Sequence, residues 1–122
     1  MERQRLGFFT YRGRRFYLID VEGLDPAQVT ALVDPAARDI RAEPLASLYT
    51  ITHVKGVQLE HKMIERLRWL ADGNKPHVKA AAVTGLSSIQ RFVFNMVRIL
   101  TGREFHLFET VEEAKEALSK LP

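Results

Sequence analysis

The stretch Val78–Thr84 (VKAAAVT) constrains the fold more than any other part of the chain. It is short, small and apolar throughout, without the alternation of a strand that has one face in water. Such a run belongs inside a sheet covered on both faces, which is where parallel strands sit. Parallel neighbours need crossovers, and the flanking sequence reads as helices. Before the run, Gln58 to Asp72 carries Leu59, Met63, Leu67 and Leu70 on one face and meets a stop at Gly73-Asn74-Lys75-Pro76. After it, Ser87 with Gln90 opens a helix that runs to Leu100 and ends at Thr101-Gly102.

The rest of the chain extends this order. Aromatic and β-branched residues flank an Arg12-Gly13-Arg14 tip, which predicts a hairpin over 5–11 and 15–22. The second arm is the more apolar and is expected to be the inner strand. Asp25-Pro26-Ala27-Gln28 is a helix start, with a capping aspartate, a proline in the first turn and a glutamine placed for a capping box. Val29, Leu32, Val33, Ala36, Ala37 and Ile40 keep their helical phase across Pro35, predicting one kinked helix. Ala46–Thr52 (ASLYTIT) and Phe105–Phe108 (FHLF) read as strands, and Thr110-Val111-Glu112-Glu113 opens a last helix to about Lys120. The expected order is β-β-α-β-α-β-α-β-α: an α/β class fold with a five-stranded mixed sheet, four helices and right-handed crossovers.

At 122 residues this is one domain over 1–122, large enough to bury its own core. Without cysteine it has no thiol nucleophile, CxxC motif or zinc ribbon, and it suits a reducing cytoplasm. MERQRLGFFTYRGRRFYLID has no apolar stretch of signal-peptide length, and no segment approaches the ~18 consecutive apolar residues of a membrane span. The sequence pI is about 9.4, but the basic excess is local. Residues 1–15 hold five arginines and one glutamate, a net of +4, against 13 basic and 14 acidic residues elsewhere, a net of −1. An arginine-rich hairpin tip reads as a soluble strand edge, so nucleic acid is not an expected partner.

From Val78 to Leu121 the chain resembles a STAS-like bacterial family, related to the anti-sigma-factor antagonists. The likeness is carried by the small-residue strand, the turn Gly85-Leu86-Ser87, Asn95, the turn Thr101-Gly102-Arg103, and Phe108-Glu109-Thr110-Val111-Glu112-Glu113-Ala114. It implies a STAS-like fold over the whole chain and a small cytosolic regulatory or ligand-binding module without catalysis or cofactor. CRAL-TRIO lipid-transfer domains are related in fold, so the alternative it implies is a carrier of a lipid or another small amphipathic acid, with an apolar pocket between the second and third helices. One departure matters. The antagonists open their second helix with a phosphorylated serine, and Gly56-Val57-Gln58-Leu59-Glu60-His61-Lys62 has neither serine nor threonine. Their phosphoswitch does not carry over.

Two candidate sites remain. Gly85, Leu86, Ser87 and Ser88 form a helix start beyond the carboxyl end of a strand, with Arg91 and Arg98 on the helix, a place suited to an anionic ligand. The plainer reading makes Ser87 an N-cap and the arginines a solvated face. Trp69 and Phe94 each lie off the apolar face of their helices, beside arginines, and are the expected contacts for a protein partner or for a second copy in a homodimer. On the third helix, Ile89, Phe92, Val93, Met96, Val97 and Leu100 make the apolar face expected to pack inward, with Arg91, Phe94, Asn95 and Arg98 opposite.

Catalysis has little to work with. His53, His61, His77 and His106 lack metal-ligand spacing, although His53 and His77 flank strand ends and could meet in space. Gly85-Leu86-Ser87-Ser88-Ile89 lacks the second glycine of a nucleophile elbow. Asp20 and Glu22 are expected to be solvated strand-end residues.

Overall fold

The computed structural model describes residues 4–101 and 105–122; the side chains at position 93 and from 96 to 101 lie outside that description. The element order is β1 (Leu6–Tyr11), β2 (Arg14–Asp20), α1 (Pro26–Arg41), β3 (Leu48–His53), α2 (His61–Asn74), β4 (Val78–Thr84), α3 (Ser88–Thr101), β5 (His106–Phe108) and α4 (Val111–Ser119), with a 3-10 turn at Lys75–His77. The protein is thus an α/β domain with a five-stranded mixed sheet and four helices, in strand order β1-β2-β3-β4-β5. β1 pairs antiparallel with β2, and the remaining neighbours are parallel.

This sequential order decides the layers. Each crossover steps one strand sideways, so crossovers of one hand lay their helices on a single face. Val29, Val33, Ala36, Ala37 and Ile40 of α1 and Met63 and Leu70 of α2 share a core with Tyr17, Ile19 and Val21, and Phe94 of α3 packs against it. The other face is covered by α4, whose Ala114 and Leu118 meet Phe16, Tyr49, Ile51 and Ala82. Neighbouring residues Phe16 and Tyr17 are therefore both fully buried, one in each core.

The caps form as their chemistry dictates. Asp25 accepts from Gln28 N at 2.8 Å while Gln28 accepts from Asp25 N at 3.0 Å, and α1 runs through Pro35 as one helix. Thr110 Oγ1 accepts from Glu113 N at 3.1 Å to start α4. Three boundaries move. β3 begins and ends slightly later than its β-rich run, and α2 starts at His61 because Glu60 caps it, accepting from Lys62 N and Met63 N. Gly73 and Asn74 do not stop α2 but complete it. β4 is fully buried only over Ala82–Thr84, and Lys79 near its start reaches water.

Candidate functional site

Ligands of open α/β sheets bind beyond the carboxyl ends of parallel strands. Here three loops meet at that edge. Gly23 N donates to Lys55 O at 3.0 Å, Val54 N to Thr84 O at 2.9 Å, and Gly85 N to Phe108 O at 3.3 Å. Gly85 has φ +82, and a Cβ on it would stand 2.8 Å from Lys55 N, so both conformation and space require glycine. The turn that launches α3 is thereby locked to the loop after β3.

Ser87 is the cap of α3. Its Oγ accepts from Gln90 N at 3.2 Å, and Gln90 Oε1 accepts from Ser87 N at 3.0 Å. Gln90 Nε2 also donates to Val57 O at 3.1 Å, tying the first turn of α3 to the segment that leads into α2. Leu86 packs against the main core, Ser88 is exposed, and Arg91 is half-buried. Gly85, Leu86, Ser87, Ser88 and Arg91 do lie along one turn, with the Ser87 oxygen accepting from Gln90 N within it. The side chain of Arg98 lies outside the described residues.

The two aromatics separate. Trp69 is 44% exposed and sits between two guanidinium groups, Arg41 at 4.3 Å and Arg66 at 4.6 Å from its ring centroid. Arg66 also pairs with Asp34 at 2.8 Å, which joins α1 and α2 across the stack. Phe94, expected outside, is half-buried and meets Phe105 edge-to-face at 5.4 Å. Its place in water is taken by Ile89 and Phe92, which are 78% and 68% exposed. The described part of α3 departs from the expected facing: Ile89 and Phe92 of the expected inward face point into water, and Phe94 packs toward the core, while the side chains of Val93, Met96, Val97 and Leu100 lie outside the described residues. A sequence signal existed: Phe94 opposite an apolar stripe gives α3 two apolar faces, and only one can face the sheet.

A polar row also crosses the sheet where solvated residues were expected. On the face covered by α4, the register sets Asp20 beside His53 and His53 beside Thr84, and Asp20 N donates to Arg5 O at 2.7 Å. Thr84 Oγ1 stands 2.7 Å from His53 Nδ1, and Glu22 Oε1 3.1 Å from Nε2. A carboxylate only accepts, so in the neutral ring Nε2–H donates to Glu22 and Nδ1 accepts from the Thr84 hydroxyl. Asp20 is buried, accepting from Glu22 N at 3.1 Å with Arg5 Nη1 3.7 Å away. His53 and His77 do not meet, because parallel strands put them at opposite ends of the sheet; His77 Nδ1 lies 2.8 Å from Glu43 O.

The basic hairpin tip is occupied internally. Arg12 pairs with Glu116 at 3.0 Å, and Arg15 with Glu43. Arg14 donates to the carbonyls of Leu118, at 2.7 Å, and Leu121, at the end of α4. The Tyr11 hydroxyl donates to Glu116, holding that carboxyl below its usual range. The Glu60 carboxyl is likewise held low by the two amides it caps. Burial, aided by Asp39 at 2.6 Å, pushes the Tyr17 hydroxyl far above the ordinary tyrosine range. A shallow cleft of about 200 Å³ lies at the outer sheet edge, lined by Gln4, Leu6, Gly7, Phe8, Phe9 and Leu18.

Fold and site together define the class: an α/β domain whose carboxyl edge is closed by its own loops and whose third crossover helix turns apolar side chains outward. No family model matches the chain, and no curated protein matches it. Among the described residues no helix is long and apolar enough to cross a membrane.

Proposed function

We propose that this chain is a non-catalytic regulatory or protein-interaction module of the STAS-like kind, acting in the bacterial cytoplasm, with α3 as the element it offers to a partner. The outward turn of Ile89 and Phe92 carries the reading. Two large apolar side chains more than two-thirds in water, one helical turn apart, form a strip that a protein surface covers at a gain of about 1.5–3 kcal/mol per side chain. A catalytic reading has less support. The His53 relay ends on Thr84, whose side chain is fully buried and out of reach of a substrate, and the Ser87 hydroxyl is engaged as a cap.

The experiment replaces Phe92 with a photo-cross-linking phenylalanine analogue in the full chain inside cells. Leu45, which is as exposed but lies on a loop, serves as the control. A defined protein adduct from position 92 and none from position 45 is the expected result. Equal or absent labelling at both positions overturns the reading.

A further inference from the structure

β1 is an edge strand of the sheet, and it lacks the devices that usually blunt an edge. Between Leu6 and Tyr11 it has no charged residue and no proline, and its register with β2 runs without a bulge. The arginines of the hairpin tip, which would guard this edge, turn back instead to Glu116, to a carbonyl at the end of α4 and to Glu43. The opposite edge is kept short, since β5 has three residues. Among the described residues β2 is the one strand paired with β1.

The backbone shows what the open edge offers. Asp20 N donates to Arg5 O at 2.7 Å, and this pair continues the register of Leu6 with Ile19. Antiparallel ladders alternate, so Arg5, Gly7, Phe9 and Tyr11 bond toward β2, while Leu6, Phe8 and Thr10 turn their amides and carbonyls outward. Gln4 agrees with this direction: its Nε2 donates to the Leu6 carbonyl at 3.0 Å, on the exposed side. The same nitrogen lies 2.9 Å from where a Cβ of Gly7 would stand. Gly7 thus leaves a notch beside its cross-strand neighbour Leu18, within the cleft of about 200 Å³ and bordered by an exposed glutamine.

This edge complements itself. Two copies of β1 paired antiparallel engage all three outward residues only when Phe8 lies on the two-fold axis and Leu6 faces Thr10 of the copy. That register sets Phe9 of the copy opposite Gly7 on the same sheet face, where its ring covers the notch. Phe9 is already held for this by stacking on Phe16, with ring centroids 5.0 Å apart. An aromatic side chain across from an edge glycine stabilises such a pair. Sliding the pair by one repeat of the ladder sets Gly7 opposite Gly7 in one direction, leaving the notch void, and Leu6 opposite Arg12 in the other. Phe8, 37% exposed, meets its own copy across the axis.

We infer that β1 is a homodimerisation edge, at which two copies of this chain pair β1 to β1 about Phe8 and join their sheets into one. The surface lies at the other end of the strand order from α3, and the inference does not rest on the proposed function. β1 has six residues and is about 20 Å long. A single strand pair is small beside the roughly 800 Å² per partner of stable interfaces, so the dimer follows concentration in the micromolar range.

Sedimentation of the purified full chain from about 1 to about 200 µM tests this, with a rise from the monomer to the dimer mass expected. Thr10→Pro removes an outward amide and spares the ladder to β2, so it should stay monomeric over the same range. Circular dichroism matching the parent chain shows that it folds. Disulfide formation reads the register separately, because the chain has no cysteine of its own. Paired Cα atoms on the axis stand about 5.5 Å apart, within disulfide reach, so Phe8→Cys should give a covalent dimer on mild oxidation. Thr10→Cys should not, since its two copies are offset by about 13 Å along the strands. A parent chain that stays monomeric, a dimer that persists in folded Thr10→Pro, or equal cross-linking of the two cysteine variants overturns the inference. If Thr10→Pro does not fold, the cysteine variants decide. A dimer lost in Ile89→Glu but kept in Thr10→Pro also overturns it, by placing the contact on α3.

Discussion

Arg41 occupies the space that a side chain at Gly73 would need: its Nη2 lies 2.1 Å from where a Cβ would stand. The guanidinium is clamped between that backbone and the Trp69 ring, and its Nε donates to Asn74 Oδ1 at 3.2 Å. This is why α2 runs through Gly73 and Asn74: the glycine serves close packing between α1 and α2. The clamp has a cost, because Arg41 Nη2 is buried without a hydrogen-bond partner among the described residues.

Gly73→Ala therefore sets two modest effects against each other. Alanine favours an exposed helix position by about 1 kcal/mol. Expelling Arg41 loses a cation–π contact of about 0.5–1 kcal/mol and the Asn74 bond, but it returns an unsatisfied nitrogen to water. Because the obstructing group is the end of a flexible side chain, stability should change by less than about 1 kcal/mol. Trp69 is the chain's single tryptophan, so its fluorescence reports the departure of Arg41 directly. Unchanged emission, or a loss in urea unfolding well above that bound, would refute the clamp.

The polar row gives a sharper stability test. Thr84→Val keeps the shape of a fully buried side chain but strips His53 Nδ1 of its partner. A buried polar atom left unsatisfied costs about 1–3 kcal/mol. Removing both ends in His53→Leu with Thr84→Val should cost less than the sum of the single changes, since the double variant leaves neither group orphaned. Urea unfolding of the four proteins gives the coupling, and strict additivity would mean the two side chains do not act as a pair.

Among the described residues, three groups with shifted titration bound the pH range from opposite sides. Glu60 and Glu116 are held below their usual value of 4.5, by the Lys62 and Met63 amides and by the Tyr11 hydroxyl respectively. A depressed carboxyl stabilises the fold above its unfolded value, and that stability is lost as pH falls through the folded one. Acid unfolding should thus begin below about pH 4.5, and Glu60→Gln should flatten this limb while its amide oxygen still caps α2. Tyr17 has the opposite sign. Its folded value is raised above the usual 10.0, first by burial and then by Asp39, so its stability is full below pH 10.0 and is lost above it. Tyr17→Phe should remove part of the alkaline limb in a pH series of thermal unfolding. An acid limb unmoved by Glu60→Gln would show that this cap contributes nothing.

The strands and helices were legible in the sequence because period, cap and turn chemistry act over a few residues. Asp25 with Gln28, and Ser87 with Gln90, specified their helix starts without help from the rest of the fold. The facing of residues was less legible. Phe16 and Tyr17 cannot be sorted into inside and outside by alternation when both sheet faces are covered. Asp20 and Glu22 read as solvated because the partners that engage them, His53 and Arg5, come from elements that only the register brings alongside. The facing of α3 was hidden for the same reason: Ile89 and Phe92 belong to its more apolar stripe and looked buried, and the contact of Phe94 with Phe105 shows that Phe94 packs inward.

The facing of α3 can be tested on the folded protein alone, and it opposes the simplest amphipathic reading. If Ile89 and Phe92 lay in the core, a charge at either would cost several kcal/mol. As they are exposed, Ile89→Glu and Phe92→Lys should each shift stability by no more than about 0.5 kcal/mol in dilute solution, below any dimerisation. Phe94→Ala should instead cost about 2 kcal/mol, less than a fully buried phenylalanine because the side chain is only half-buried against Phe105. Chemical denaturation of the three variants ranks them. The order Phe94 far above Ile89 and Phe92 fixes the apolar strip on the outside of α3, where it is available to a partner. The reverse order would return that strip to the core and remove the interaction surface.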